Sequence, residues 1–514
     1  MEMDKKAERI LKRYAKAASN RDQWIGLWQD CYDNAFPQRT GFYSTSEGES
    51  RTDSIYDGST VQATSEFASR MQAGLTPSFS KWFEFEAGSE IPEEQRSEVN
   101  RHLQDVGNYV WEILQTSNMN QELHEAYYDL AVGTGTLTVE QGINPAEQPL
   151  VFTTLPQSQV VLDVGPFGYI DATYRLRKLK LREIVVIWPS AKIHDDMKAQ
   201  GEREEEHQFD IIECVYRDWS DRGTERHSYN VISKDPKHIL VEGEFKGDGA
   251  NPMISFRWSK TAGETYGRGP LLNALPDVKT LNEVVRLSLE NAAMSITGMW
   301  QADDDGILNP DTIELVPGTI IPRAMNSRGL EPLVPAAQSN VSQFLIQDMR
   351  HNIKKAMFNE SLGAPEGTPM SATEVHERMA DLSRTIGSAY GRLHTELTTP
   401  LLRRVVHILK AQGRIEIPMV NGREIKIVNV SPLAQAQHNE NVARVGRWLQ
   451  LLNAGFGPQM TNMVVRAEEA AVYTGQQIGV PEKLIRTDAE RAEIAQAIAE
   501  TQELASQQQQ QQGM

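Results

Sequence analysis

The stretch "SLGAPEGTPMSATEVHERM", residues 361–379, reads as the end of one helix and the start of another, with a break between them. Gly363, Pro365, Gly367 and Pro369 crowd into that break, with Glu366 and Thr368 among them. Proline removes a backbone donor and clashes one turn back, and glycine costs backbone entropy, so a helix interior tolerates neither well. Ser371 and Glu374 then form an S-x-x-E capping box ahead of an apolar run. The chain therefore stops a helix, crosses a short Pro/Gly loop at 363–370 and restarts sharply. Such a loop is either a plain linker or a segment held out into some space.

The restarted helix is the best marked in the chain. Val375, Met379, Leu382, Ile386, Tyr390, Leu393, Leu397, Leu401, Val405 and Ile408 keep a three-or-four spacing without a slip. At about 1.5 Å per residue it approaches roughly 60 Å. Pro400 lies inside it, and a clash with the carbonyl of Glu396 predicts a kink. Upstream of the loop, Val341, Leu345, Met349, Ile353 and Met357 predict a helix over about 340–360. Before that, residues 298–335 read as a small β insert, with a type II turn at Pro317-Gly318. A further helix opens at Pro270, carries Leu271, Leu275, Val278, Val285, Leu289 and Ala292 at helical spacings, and ends near Ser295.

Towards the N-terminus, residues 4–36 predict an amphipathic helix with Ile10, Leu11, Tyr14, Trp24, Leu27, Trp28 and Tyr32 on its apolar side. The segment 57–77 predicts another, capped by Ser59 or Thr60, with Gly74 at C′ and Pro77 beyond. Helices over about 92–116 and 119–132 follow. From about 137 to 260 the pattern turns to strands, interrupted by one short helix near 180–200. After the long helix come the strands "RIEIPMV" and "EIKIVNV", then a helical region from Pro432 that ends in the run Gln507 to Gln512. The class is α+β.

The chain has 514 residues, 39% hydrophobic and 24% charged, enough for several domains with a sizeable core. Its formal charge of −18 opposes general adhesion to nucleic acid. Cys31 and Cys214 stand alone, so neither a disulfide framework nor a zinc site is expected. The first residues carry no secretory apolar core, and no run is long enough to span a bilayer. A soluble protein made in the cytoplasm is expected.

Catalytic signatures are missing: the sequence holds no G-x-x-x-x-G-K-[ST] and no H-E-x-x-H. "GTGTLT" at Gly133 is half a dinucleotide fingerprint, but it leads into a strand. "DDDG" at 303–306 lacks the remaining calcium-loop positions and reads as a solvated turn. No catalytic residues, cofactor or metal are expected. On the 340–360 helix, Gln343, Gln347, Arg350, His351, Lys354 and Lys355 lie opposite the apolar stripe. That face is either a solvated surface or a phosphate-facing strip.

Four stretches carry a family resemblance: "IYDGSTVQATSEFASRMQAGLTPSFSKWF" at 55–83, "RWSKTAGETYGRGP" at 257–270, "TPMSATEVHERM" at 368–379 and "VSPLAQAQ" at 430–437. In this order, over nearly the whole chain, they resemble the portal, or head-to-tail connector, proteins of short-tailed, T7-like phages. The resemblance implies a portal fold. Its parts would be a wing at 1–269 and 371–430, stem helices at 270–297 and 338–362, and a clip at 298–337. A tunnel loop at 363–370 and a crown at 431–514 would complete it. It implies a ring, twelve-fold in relatives, at a capsid vertex, through which double-stranded DNA enters and leaves without sequence specificity.

The expected partners are further copies of the chain, a terminase motor, a tail adaptor, capsid protein, scaffold and internal core proteins, with no membrane. The expected place is the virion. Arg350, His351, Lys354, Lys355 and the tunnel loop would face DNA. Leu271, Leu275, Val278, Leu281, Val285, Leu287 and Leu289 cover more than one helix face, and the part not used within the chain would meet the next subunit. Two alternatives stand beside this reading: another virion structural protein such as a tail adaptor, and a cytosolic hydrolase or nuclease using the scattered carboxylates.

Overall fold

The computed structural model describes residues 2–39, 41–43, 52–88, 93–220, 225–297, 299–302, 330–333, 339–359, 387, 389–416, 425–429 and 432–478, with isolated positions at 480, 486 and 494. The α+β class is observed, and the chain divides into two compact units. One unit comprises Met1–Trp28, Ser65–Leu272 and Glu360–Met514; the other comprises Gln29–Thr64 and Asn273–Asn359. The tunnel-loop residues Gly363, Pro365, Glu366, Gly367, Thr368 and Pro369, the capping box and the Pro317-Gly318 turn lie outside the described residues.

The elements run α1 (Glu2–Ala35), α2 (Ser59–Leu75), β1 (Phe83–Ala87), α3 (Glu93–Thr116), α4 (Met119–Val132), β2 (Thr134–Glu140), β3 (Val151–Thr154), β4 (Val160–Val164) and β5 (Ile170–Lys180). Then come α5 (Leu181–Ile187), α6 (Asp195–Arg203), β6 (Gln208–Arg217), β7 (Arg226–Ser233), β8 (His238–Lys246) and β9 (Met253–Arg257). After these follow α7 (Pro270–Thr297), β10 (Met299–Ala302), β11 (Leu330–Leu333) and α8 (Ser339–Ala356). A π-helical turn, His394–Thr398, runs into α9 (Thr399–Ala411). The last described elements are β12 (Ile425–Asn429), α10 (Pro432–Val464) and α11 (Ala467–Ile478), with α10 broken at Gly457.

The largest sheet is antiparallel, in the order β4-β5-β6-β7-β8. Because side chains alternate along a strand, it has two faces to bury. One face packs Val161, Tyr174, Ile212, Cys214 and Ile232 against Ala7, Ile10 and Ala17 of α1. The other packs Leu179, Ile211, Val231 and Leu240 against Ile184 of α5 and Met197 of α6. Two helices stand where the sequence suggested one, because Pro189 disfavours helical backbone at Trp188 and ends α5. His194 Nδ1 then accepts from Asp196 N at 3.2 Å at the start of α6.

A second sheet has the order β3-β2-β9, and β1 pairs with β12, Phe83 opposite Asn429. β1 was not anticipated, since it is five residues long and finds its partner far along the chain. α2 also runs one residue past Gly74, so that glycine lies within the last turn and is not its C′ residue. Residues 414–416, the start of the expected strand "RIEIPMV", have no strand structure.

The "GTGTLT" and "RWSKTAGETYGRGP" stretches meet here. Gly133, at φ 152°, lies so close to the 267–269 backbone that a Cβ there would stand 2.1 Å from the Gly267 carbonyl oxygen. Gly269 N donates to the Val132 carbonyl at 2.8 Å, and Trp258 N donates to that of Gly133 at 2.9 Å. Gly133 therefore serves backbone-to-backbone packing.

Arg257 lies in the same knot and is almost wholly buried. Its Nη2 and Nε donate to the two carboxylate oxygens of Glu396 at 2.6 and 3.1 Å, and its backbone N donates to Oε2 at 3.0 Å. Glu396 can face it because the helix is wound as a π turn there, with Thr399 N bonded to the carbonyl of His394. Pro400 lies inside the continuous helical run of 389–411, directly after the π turn. Leu393, Leu397, Leu401 and Val405 are all fully buried along this segment.

Candidate channel and assembly elements

α7 starts at Pro270 and carries a second proline, Pro276, whose carbonyl accepts from Thr280 Oγ1 at 2.8 Å. Its first turns face inward: Leu271, Leu275, Val278 and Leu281 are buried within this chain. Val285 is half-buried, while Leu287 and Leu289 are 50% and 54% exposed. Arg286 bonds Glu283 and Glu290 on the same helix. Of the residues expected to meet a neighbour, the second half of α7 holds those that a single chain leaves accessible.

α8 shows the opposite polarity. Ile353 and the following Met357 are buried, whereas Phe344 is 75% exposed and Leu345 is also exposed. The apolar stripe thus leaves the chain's own packing before the helix begins its last turns. β10 and β11 pair antiparallel, Met299 opposite Leu333, and residues 303–329 between them lie outside the described residues.

Asp57 is the hub of this unit. Arg350 Nε and Nη2 both donate to its Oδ2, at 2.9 and 2.6 Å. Ser59 N donates to Oδ1 at 2.9 Å, so the carboxylate at the start of α2 is Asp57, just upstream of the expected caps Ser59 and Thr60. Asn282 of α7 accepts from Tyr56 N at 2.7 Å and donates to the Ser54 carbonyl at 2.8 Å. Asn359 Nδ2 donates to the Ala63 carbonyl at 2.6 Å, fixing the end of α8. Burial pushes the Asp57 carboxyl up, but the bonds from Ser59 and Arg350 outweigh it and hold it below its ordinary value.

Arg350 therefore shares its charge with Asp57, and the pair is formally neutral. The exposed face of α8 keeps His351, Lys354 and Lys355 towards solvent. Asp57 is not marked by the cap pattern, in which the hydroxyls of Ser59 and Thr60 stand nearer the helix; the Asp-Gly pair just before them is its signal. Arg257 and Glu396 were also missed. Their signal was a single charge ending the buried strand "MISFR" and a carboxylate between Leu393 and Leu397.

The family described as bacteriophage head to tail connecting protein matches residues 7–485. The chain belongs to that family. It is 24% identical, over 97% of its own length and 92% of the relative's, to a probable portal protein of Bordetella phage BPP-1. It is 21% identical to the portal protein of Enterobacteria phage T3, over 52% of this chain and 50% of that one. Among solved structures it is similar to a chain of the virion of a native gene transfer agent particle, with 13% identity and a TM-score of 0.36, covering 82% of this chain and 92% of that one.

The connector family match takes in both long helices, the insert and the Pro/Gly loop. Among the described residues, no group of three or more His, Cys, Asp or Glu side chains is placed to hold a metal ion. Among them, too, no helix is long and apolar enough to cross a membrane. Cys31 and Cys214 are free and buried, and burial pushes both thiols up to about 12.

Proposed function

We propose that this connector-family chain is a portal subunit of the virion. Twelve copies close a ring at a capsid vertex, double-stranded DNA passes through it, and a terminase motor and later a tail adaptor dock on it. The observation that carries the reading is the family match over residues 7–485, together with a portal relative aligned over 97% of the chain. In this reading α7 and α8 form the stem, 298–337 the clip and 363–370 the tunnel loop. The exposed Leu287, Leu289, Phe344 and Leu345 suit contact with adjacent copies, since exposed large apolar groups gain most by being covered.

Charge fits a conduit. Twelve copies at −18 each carry about −216 formal charges, which leaves phosphates few places to bind tightly. His351, Lys354 and Lys355 then offer a limited strip that contacts phosphate loosely and without reading sequence. The test is the mass and shape of the purified assembly. A ring of twelve 57.7 kDa chains weighs about 690 kDa and shows a central hole in electron micrographs. A preparation that stays at the subunit mass, or that closes into particles with no hole, opposes the reading.

A further inference from the structure

The helix α6 starts on an imidazole. Serine, threonine, aspartate and asparagine are the usual residues at such a start, because their side-chain oxygens accept from the free N–H groups of the first turn. Here His194 takes that place. Its backbone is extended, its carbonyl accepts the first helical bond from Lys198 N at 3.1 Å, and its Nδ1 accepts from Asp196 N at 3.2 Å. An imidazole differs from the usual caps in one respect. Its accepting nitrogen takes up a proton within the range of pH 5 to 8, and a protonated ring can only donate.

The loop ahead of this cap is stitched to an edge of the five-stranded sheet. β8 is the outer strand there. Lys192 N donates to the Leu240 carbonyl at 2.8 Å, and His238 Nε2 donates to the Lys192 carbonyl at 2.9 Å. A carbonyl only accepts, so the His238 proton is on Nε2. The His238 ring stands nearly edge-on to that of His194, with centroids 5.3 Å apart. Met197 is fully buried against the sheet and holds the body of α6 down. Two imidazoles therefore meet where the loop ends and the helix begins.

The charges around His194 come from three places. Asp195 and Asp196 are on α6, with Lys198 bonded to Asp195 at 3.0 Å; Lys192 is in the loop; His238 is on β8. Asp196 Oδ2 lies 3.4 Å from His194 Nδ1, and His194 is partly exposed, so solvent protons reach it. A proton on Nδ1 thus exchanges one bond for another on a single residue. The Asp196 N–H loses its acceptor, and the Asp196 carboxylate gains a donor. A second proton on His238 is opposed by the like charge beside it.

We propose that His194 is a proton-operated cap. Neutral, it closes the first turn of α6. Protonated, it turns its bond to the Asp196 carboxylate and lets that turn open. The closed turn is therefore present above the imidazole range and is lost as pH falls through it. Met197 and the stitched loop keep the rest of α6 in place, so the opening is local. The device does not need ring closure.

The test is hydrogen–deuterium exchange of the full chain, read by mass spectrometry on peptides spanning 190–203. Rates are taken at about pH 7.5 and about pH 5.5, each divided by the rate of the same peptide unfolded at that pH. In the parent, protection of the first turn should fall about fivefold at the lower pH, the effect of losing one cap. His194→Asn and His194→Ser each keep an accepting oxygen that does not titrate, and both should hold protection equal at the two pH values. His207, beyond the far end of α6, bonds Gln200 and is unchanged in both variants, so its own titration cannot produce the difference. Equal protection of the parent at both pH values, or the same fall in the variants, overturns the proposal.

Discussion

Arg257 shows what a single buried charge demands. Its guanidinium is out of water, and Glu396 supplies the carboxylate that makes this tolerable. Glu396→Gln leaves the cation without a counter-charge, and we expect it to cost about 3 kcal/mol or more, read as a lower denaturant midpoint at unchanged m-value. Substituting Met at both positions should cost less than the two single changes added together, since the two groups act as a pair. Asp57 sets a second expectation, in pH. Its folded carboxyl lies below the ordinary value, so its contribution is fully present above the unfolded carboxylate pKa, about 3.9, and is lost as pH falls further. Asp57→Asn should flatten the fall in stability below about pH 4 while costing about 1–3 kcal/mol at neutral pH, the range for a buried charged hydrogen bond. An acid limb identical to that of the parent would show that Asp57 is not the titrating group.

At the scale of the element, α7 divides into a half that the chain uses and a half that it does not. Leu271, Leu275, Val278 and Leu281 are buried at home, and Leu287 and Leu289 are half exposed. A charge at the exposed end is cheap in the lone subunit and costly once a neighbour covers it. Leu289→Asp should therefore leave the subunit's melting temperature within a few degrees of the parent and lower the assembled fraction at least about tenfold. Normal rings from this variant would remove α7 from the subunit interface. α9 illustrates a different element-scale rule. A π turn immediately before Pro400 absorbs the missing N–H and also turns Glu396 towards Arg257, so one local irregularity answers two constraints.

For the whole molecule, charge is the dominant fact. Copies at −18 each repel one another when brought together, and salt screens that repulsion. The screening length falls from about 10 Å at 0.1 M to about 3 Å at 1 M ionic strength. The assembled fraction, followed by sedimentation, should therefore rise with salt over that range. A fall would mean that ion pairs between copies outweigh the net charge.

Periodicity alone was enough to locate most helices, because an apolar stripe at three and four residues is written locally in the chain: α4 runs over Met119–Val132, as its pattern required. The larger strands were legible for the same reason. Motifs in order were enough to indicate the connector family. What spacing could not supply was any relation between distant residues. β1 needs β12, Arg257 needs Glu396, and Gly133 needs the backbone of Gly267; each partner lies more than 100 residues away. The grouping of 29–64 with 273–359 rests on Asp57, Asn282, Arg350 and Asn359, whose polar side chains read in isolation as ordinary surface. Local pattern records which face of an element avoids water; only the folded chain decides which other residue, out of all those with the right chemistry, comes to meet it.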